Sequence, residues 1–184
     1  MQKGRKMNNE RKVEIVTTTE GKPIVVIWDI VFKNRQCIDW DEVEAYLYRF
    51  AEEQCIIDQY SEKVYIGSEF PKEYAGSEYT RHLKGTLAKA KANAAQGIPE
   101  LIKIAKNRKY DPNHKKKHSI RAKYGWYRYD SRFAIPVYDT DGEIERFNVF
   151  RVRMIVNHAA NGKKYLYDMI NIKKEKETGN PLKN

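Results

Sequence analysis

The strongest constraint on the fold lies in the last third of the chain. Three segments of alternating polar and apolar residues, about 124–138, 144–157 and 163–172, are joined by Asp141-Gly142 and Asn161-Gly162. Those dipeptides supply the positive φ angles that tight hairpins require, so the three segments read as an antiparallel meander. If Asp141 and Gly142 form a two-residue loop, Arg132 faces Arg151 and Asp130 faces Arg153. Side chains alternate along a strand. Trp126, Arg128, Asp130 and Arg132 therefore share one face with Arg151 and Arg153. Tyr127, Tyr129, Phe133, Ile135 and Val137 share the other with Phe150, Val152, Met154 and Val156. A one-residue slip would mix the two sets, so pattern and turn support the same register. Two arginines directly opposed repel, and Asp130 offsets them only in part, which points to an anionic ligand. Leu166 and Ile170 of the third segment fall on the arginine side and would cover part of it.

Upstream the pattern changes. Residues 1–12 form a polar, basic tail expected to be mobile. Ile24–Phe32 reads as a buried strand. Asp39 caps a helix over about 40–54, with Trp40, Val43, Leu47 and Phe50 on one side and Glu42, Glu44, Glu52 and Glu53 on the other. A short strand follows at 63–67, then a turn-rich connector. Ser77 caps a helix over about 78–95, on which Lys84 and Lys91 lie seven apart and share a face; taken alone, a solvated helix face is the better account of them. Pro99 opens another helix, about 99–107. Residues 108–123 read as a basic loop, and the chain from Lys173 as a polar tail. The fold class is α+β: an N-terminal strand and helices, then an antiparallel sheet of C-terminal hairpins. Residues 13–172 make one domain.

Composition narrows the function. The chain has 184 residues and a formal charge of +10. Residues 1–60 carry 9 Lys/Arg and 11 Asp/Glu, whereas 61–184 carry 26 and 14, so the basic surface belongs to the later part. Nucleic acid is the first partner to consider for such a surface. Cys37 and Cys55 have no CxxC or Cys/His context, which predicts no zinc site and suits a reducing cytoplasm. No segment approaches the length of an apolar membrane span, and the N-terminus lacks a signal-peptide core. Phosphate-binding glycine loops, GxSxG elbows and metal-nuclease carboxylate sets are missing. No cofactor or metal is expected.

The candidate interface runs from Lys115 to Arg132. Lys115, Lys116, Lys117, Arg121 and Lys123 precede a strand in which Tyr124, Trp126, Tyr127 and Tyr129 interleave with Arg128 and Arg132. Cations between flat rings suit a phosphate backbone with stackable bases. A strand with arginine on its wet face and tyrosine on its dry face is the plainer reading. Metal-free RNA cleavage would need a base for the 2′-hydroxyl, an acid for the leaving oxygen and cations for the charge. Of His82, His114, His118 and His158, His118 is best placed, inside the basic loop and just before the aromatic strand; a surface loop histidine is its plainer reading.

Four stretches in order, GSEYTRHLKG, AKAKANAAQGIPELIKIA, KHSIRAKYGWYRYDSRFAIPVY and FNVFRVRMIVNHAANGKKYLYDMINIKKE, resemble the phage and mobile-element domains of the barnase–EndoU–colicin–RelE-like nuclease fold. The likeness is to the type attached to large polyvalent proteins and spans roughly residues 20–176. It implies an RNase-like domain with metal-independent cleavage. It carries that chemistry onto His118, Arg132, Arg151 and Arg153, with Lys84 and Lys91 in support. In size and fold the chain is also similar to type II anti-CRISPR proteins that act on Cas9 by causing truncation of its guide RNA. The implied partners are therefore RNA, specifically guide RNA, and Cas9 or its guide complex. A toxin-like endoribonuclease acting on cellular RNA and a non-catalytic binding module are the other two readings.

Overall fold

The computed structural model describes residues 11–33, 36–176 and 181–182, so most of the expected N-terminal tail lies outside the described residues. Its last part is docked rather than mobile: Arg11 forms a two-pronged ion pair with Glu100 at 2.7 Å and lies 5.1 Å from the centre of the Phe50 ring.

The chain is α+β. The meander is β6 (Trp126–Tyr138), β7 (Ile144–His158) and β8 (Lys164–Lys174). Arg132 pairs with Arg151 and Asp130 with Arg153, the register that the Asp141-Gly142 turn predicts. Around it the strands are β1 (Val13–Thr17), β2 (Pro23–Ile27), β3 (Gln54–Ile57), β4 (Glu62–Tyr65) and β5 (Lys106–Asp111). Among the described residues they join one sheet of order β1-β2-β6-β7-β8-β4-β3, with β5 pairing the first part of β6. The sheet is mixed, because β2 meets β6 and β4 meets β8 in parallel.

One face packs on α1 (Trp40–Leu47), α2 (Phe70–Gly76), α4 (Gly85–Ala94) and α5 (Ile98–Lys103). Tyr129, Phe133, Phe150 and Met154 point into that core, and the Phe133 and Phe150 rings stack at 5.2 Å. Each such side chain stabilises the fold by about 1.5–3 kcal/mol. The opposite face carries a smaller apolar patch of Ile24, Val26, Ala134, Phe147 and Val149. A polar staple closes one end of the helix-side core. Glu62 accepts from Tyr129 Oη at 2.6 Å and Arg108 Nη1 at 3.2 Å, and it also pairs with Lys164.

Several boundaries differ from the sequence reading, and tertiary pairing explains them. Asp39 does cap α1, accepting from the amides of Asp41 and Glu42. The helix ends at Leu47, tightens into a 3-10 turn over Tyr48–Phe50, and Glu52 takes φ 69° before Gln54–Ile57 pairs with β4. The helix expected over 78–95 is two, α3 (Glu78–His82) and α4, separated where Leu83 and Lys84 turn extended and Gly85 takes φ +57°. The connector before Ser77 holds α2, with Pro71 in its first turn, where a missing amide costs nothing. Residues 106–111 are a strand, not helix end and loop, and Lys173 and Lys174 belong to β8 rather than to a tail.

Candidate nucleic-acid interface

The segment between β5 and β6 is irregular but tied down. His118 closes a short 3-10 turn (its amide donates to Lys115 O at 3.0 Å), and its carbonyl accepts from Ala122 N at 2.8 Å. Asn157 of β7 donates to the Arg121 carbonyl at 2.7 Å, and Ala160 N donates to Ile120 O at 2.9 Å. These bonds pull the basic turn against the β7–β8 hairpin. They set the His118 ring edge-on to Trp126, with centroids 5.3 Å apart. Tyr167 completes the group, 5.0 Å from Trp126 and 6.3 Å from His118. The three rings are mutually near-perpendicular, an arrangement that places the positive edge of one ring against the negative face of the next. The Arg121 guanidinium lies 5.4 Å from the centre of the Tyr167 ring and pairs with Glu69 at 2.8 Å.

Beside these rings opens a cleft of about 970 Å³. Lys117, His118 and Arg121 form one wall, Lys72 and Glu73 of α2 another, and Tyr165 and Tyr167 line it from β8. Burial, reinforced by the positive charges of Lys117, Arg121 and Lys115, pushes the His118 imidazolium below its ordinary stability, so the ring is neutral at pH 7. Burial, together with the Glu73 carboxylate, pushes the Tyr167 phenol up, against the pull of Arg121. Tyr167 thus keeps its proton, in a hydrogen bond to the Glu73 carboxylate, and a neutral His118 ring has one nitrogen able to accept.

Not all predicted residues meet here. Lys117, His118, Arg121 and Trp126 come together, with Lys115 and Lys116 exposed on the same turn. Lys123 is exposed, its ammonium 5.4 Å from the centre of the Tyr124 ring. Arg128 is engaged with Asp111 at 2.7 Å. Lys84 is exposed at the N-cap of α4. Lys91 corrects the sequence reading: it is fully buried and ion-paired to Asp168 at 2.8 Å, so it faces no solvent and no RNA. The break before Gly85 removes the continuous helix on which it shared a face with Lys84.

Arg132 and Arg151 lie opposed as expected, but Glu175 engages both. Arg153 stands opposite Asp130 and Ile170, half-buried. Arg132 is six residues along β6 from Trp126, about 20 Å at strand rise. The four catalytic candidates, His118, Arg132, Arg151 and Arg153, therefore do not share one site. His158 Nε2 donates to Gly162 O at 3.1 Å and packs on Tyr124 and Tyr127, serving the hairpin turn. Among the described residues no group of three His, Cys, Asp or Glu side chains could hold a metal ion, and no helix is long and apolar enough to cross a membrane. Cys37 is exposed and Cys55 half-buried, its thiol pushed up to about 11, mainly by burial.

Tyr167 and the α2 residues escaped the sequence reading. The β7–β8 ladder shifts between Ile155 and Val156, which pair with Asp168 and Leu166, so Tyr167 is an extra residue in the strand. That bulge sends Leu166 to the core and Tyr167 to Trp126. The one local hint is Asp168, a carboxylate inside an apolar strand.

Comparison with known proteins adds no relative: no family model, curated protein or solved structure matches the chain.

Proposed function

We propose that this chain is an RNA-directed protein whose RNA seat is the His118 cleft, and that it acts as an anti-CRISPR, inhibiting Cas9 by causing truncation of its guide RNA. One observation carries the RNA reading: the His118 imidazole stands in a group of aromatic rings, at the wall of an open cleft that also presents Lys117 and Arg121. Rings offer stacking surfaces, cations offer phosphate contacts, and a neutral histidine can take the proton of a 2′-hydroxyl. In that step the 2′-oxygen attacks its own phosphate, His118 accepts the proton, and the 5′-oxygen leaves as Tyr167 or water protonates it. Arg121 and Lys117 offset the charge on the phosphorane. The Cas9–guide complex as target rests on the sequence resemblance.

The test is a labelled guide RNA incubated with the protein in EDTA, with and without Cas9. A shortened RNA in EDTA without Cas9 is the expected result. His118→Ala slows its appearance by about 10²–10⁴-fold, the range for loss of a general base. The acid limb of the pH–rate profile falls below about pH 6.5, histidine's ordinary value, because the neutral ring is the working form and its surroundings resist protonation. A product that needs both Cas9 and magnesium moves the cut to Cas9's own nuclease centres. No product under any condition overturns guide truncation, and growth arrest on expression without Cas9 favours a toxin-like ribonuclease instead.

A further inference from the structure

The basic face of the sheet holds a second feature, away from the His118 cleft. The β6–β7 register sets Arg132 directly opposite Arg151, two cations that repel at that spacing. A single carboxylate joins them. Glu175, just past β8, accepts from Arg132 through two parallel bonds, Nε to Oε1 at 2.9 Å and Nη2 to Oε2 at 2.8 Å. Its Oε1 is also 3.4 Å from Arg151 Nε. The fork of a guanidinium recognises carboxylate and phosphate by the same geometry. Two positive charges against one negative leave the pair undersaturated. The Arg151 side chain is 71% exposed, with donors available on its open side.

The surroundings suit an anion. A polar cavity of about 320 Å³ adjoins the pair, and Lys22, Lys106, Asn107 and Lys176 line it, against Glu20 and Asp130. Glu175 is held by these ion pairs and by one backbone bond to Val149 O at 2.8 Å, with its side chain 20% exposed. Trp126 and Arg132 share a face of β6, so a strand of RNA leaving the His118 cleft along that face would reach the pair.

We propose that Arg132 and Arg151 form a second phosphate seat, for a phosphodiester of the RNA backbone, and that Glu175 occupies it as a built-in competitor. The ligand's identity rests on the RNA reading; the seat itself does not. Displacing the carboxylate leaves Arg132 and Arg151 to grip the phosphate oxygens, so RNA binding and release of Glu175 are coupled.

Two probes test this on the whole protein: inorganic phosphate, followed by the NMR signals of the arginine Nε–H groups, and a fluorescent single-stranded RNA, followed by anisotropy between 50 and 200 mM salt. In Glu175→Gln, phosphate should shift the Arg132 and Arg151 signals at concentrations that leave the parent unchanged. RNA affinity at low salt should rise about three- to tenfold, and the salt dependence should steepen by roughly 0.7 for each additional phosphate neutralised. Adding Arg151→Gln, at the exposed end of the pair, should erase both effects. Phosphate shifts with no rise in RNA affinity overturn RNA as the ligand. No shift and no rise, while His118→Ala still weakens RNA binding, overturns the seat and leaves the RNA reading standing. A Glu175→Gln protein that melts well below its parent and binds neither probe more tightly assigns the carboxylate a structural role and overturns the proposal.

Discussion

Lys91→Met is expected to destabilise the protein by about 3–5 kcal/mol, the range for breaking a buried ion pair from one side. At this chain length that lowers the melting temperature by roughly 6–20 °C. The Lys91 ammonium has no solvent contact. It donates to Asp168 Oδ1 at 2.8 Å and Thr80 Oγ1 at 2.6 Å, and lies 4.5 and 5.1 Å from the centres of the Tyr74 and Tyr79 rings. Burial alone pushes the Lys91 ammonium towards losing its proton and the Asp168 carboxylate towards gaining one; each partner opposes that on the other. Methionine fills the space but leaves Asp168 buried with its remaining donors, chiefly the Met169 amide at 2.7 Å. Lys91→Met with Asp168→Leu removes both charges, and should recover most of the loss, because an apolar pair of similar volume avoids the desolvation cost. Thermal and urea melts check this. RNA binding at a temperature where the single variant is folded should keep the parent's salt slope; a flattened slope would return Lys91 to the RNA-contacting residues.

Gly125→Ala carries the second large effect, and it acts on the site as well as the fold. Gly125 has φ +95° and sits between the His118 turn and β6. A Cβ there would stand 2.6 Å from Tyr110 Cε2 and 2.7 Å from the Asp111 carbonyl oxygen. The ring could swing away, but the carbonyl belongs to β5, paired with β6 through Asp111 and Trp126. Backbone strain of about 1–3 kcal/mol adds to an overpacking cost of about 1–3 kcal/mol. Gly125 also donates to Ala122 O and accepts from His158 N, both at 3.0 Å, so relief by movement disturbs the turn that aims His118. The expected outcome is a loss of several kcal/mol together with loss of the RNA cleavage proposed above. Gly142→Ala is the control, because its φ is also positive but its Cβ meets nothing within 4 Å. It should cost only about 1–2 kcal/mol and leave the proposed cleavage unchanged. Equal effects of the two substitutions would show that strain, not the contact with β5, decides the matter.

What could be seen in the residues alone follows from how local the determinants are. The β6–β7 pairing was legible because a two-residue turn and a period-two pattern over more than ten residues point to one register. His118, Arg121 and Trp126 were legible as neighbours because they lie within nine residues of one another. The strand β8 was legible too, but its register was not, since its bulges depend on what lies on either side of it. Tyr167 therefore entered the site unannounced. Lys91 was misplaced for a related reason: seven-residue spacing puts two lysines on one face only if the helix between them is unbroken, and its partner, Asp168, is 77 residues away. The arginine pair was visible; the carboxylate that joins it, in a stretch with no pattern, was not.

The two parallel joints in the sheet bear on when the protein can fold as it is made. β2 holds β6 through Val25–Phe133 and Val26–Ala134, and β4 holds β8 through Tyr65–Tyr165. Each joins a strand synthesised early to one that emerges about a hundred residues later. Until the meander has left the ribosome, the β1–β2 and β3–β4 hairpins have no central strands to dock on, and their apolar faces wait uncovered. Such long-range pairing makes folding slow and late. The sheet can therefore be completed only after β6–β7–β8 has emerged to join the β1–β2 and β3–β4 hairpins.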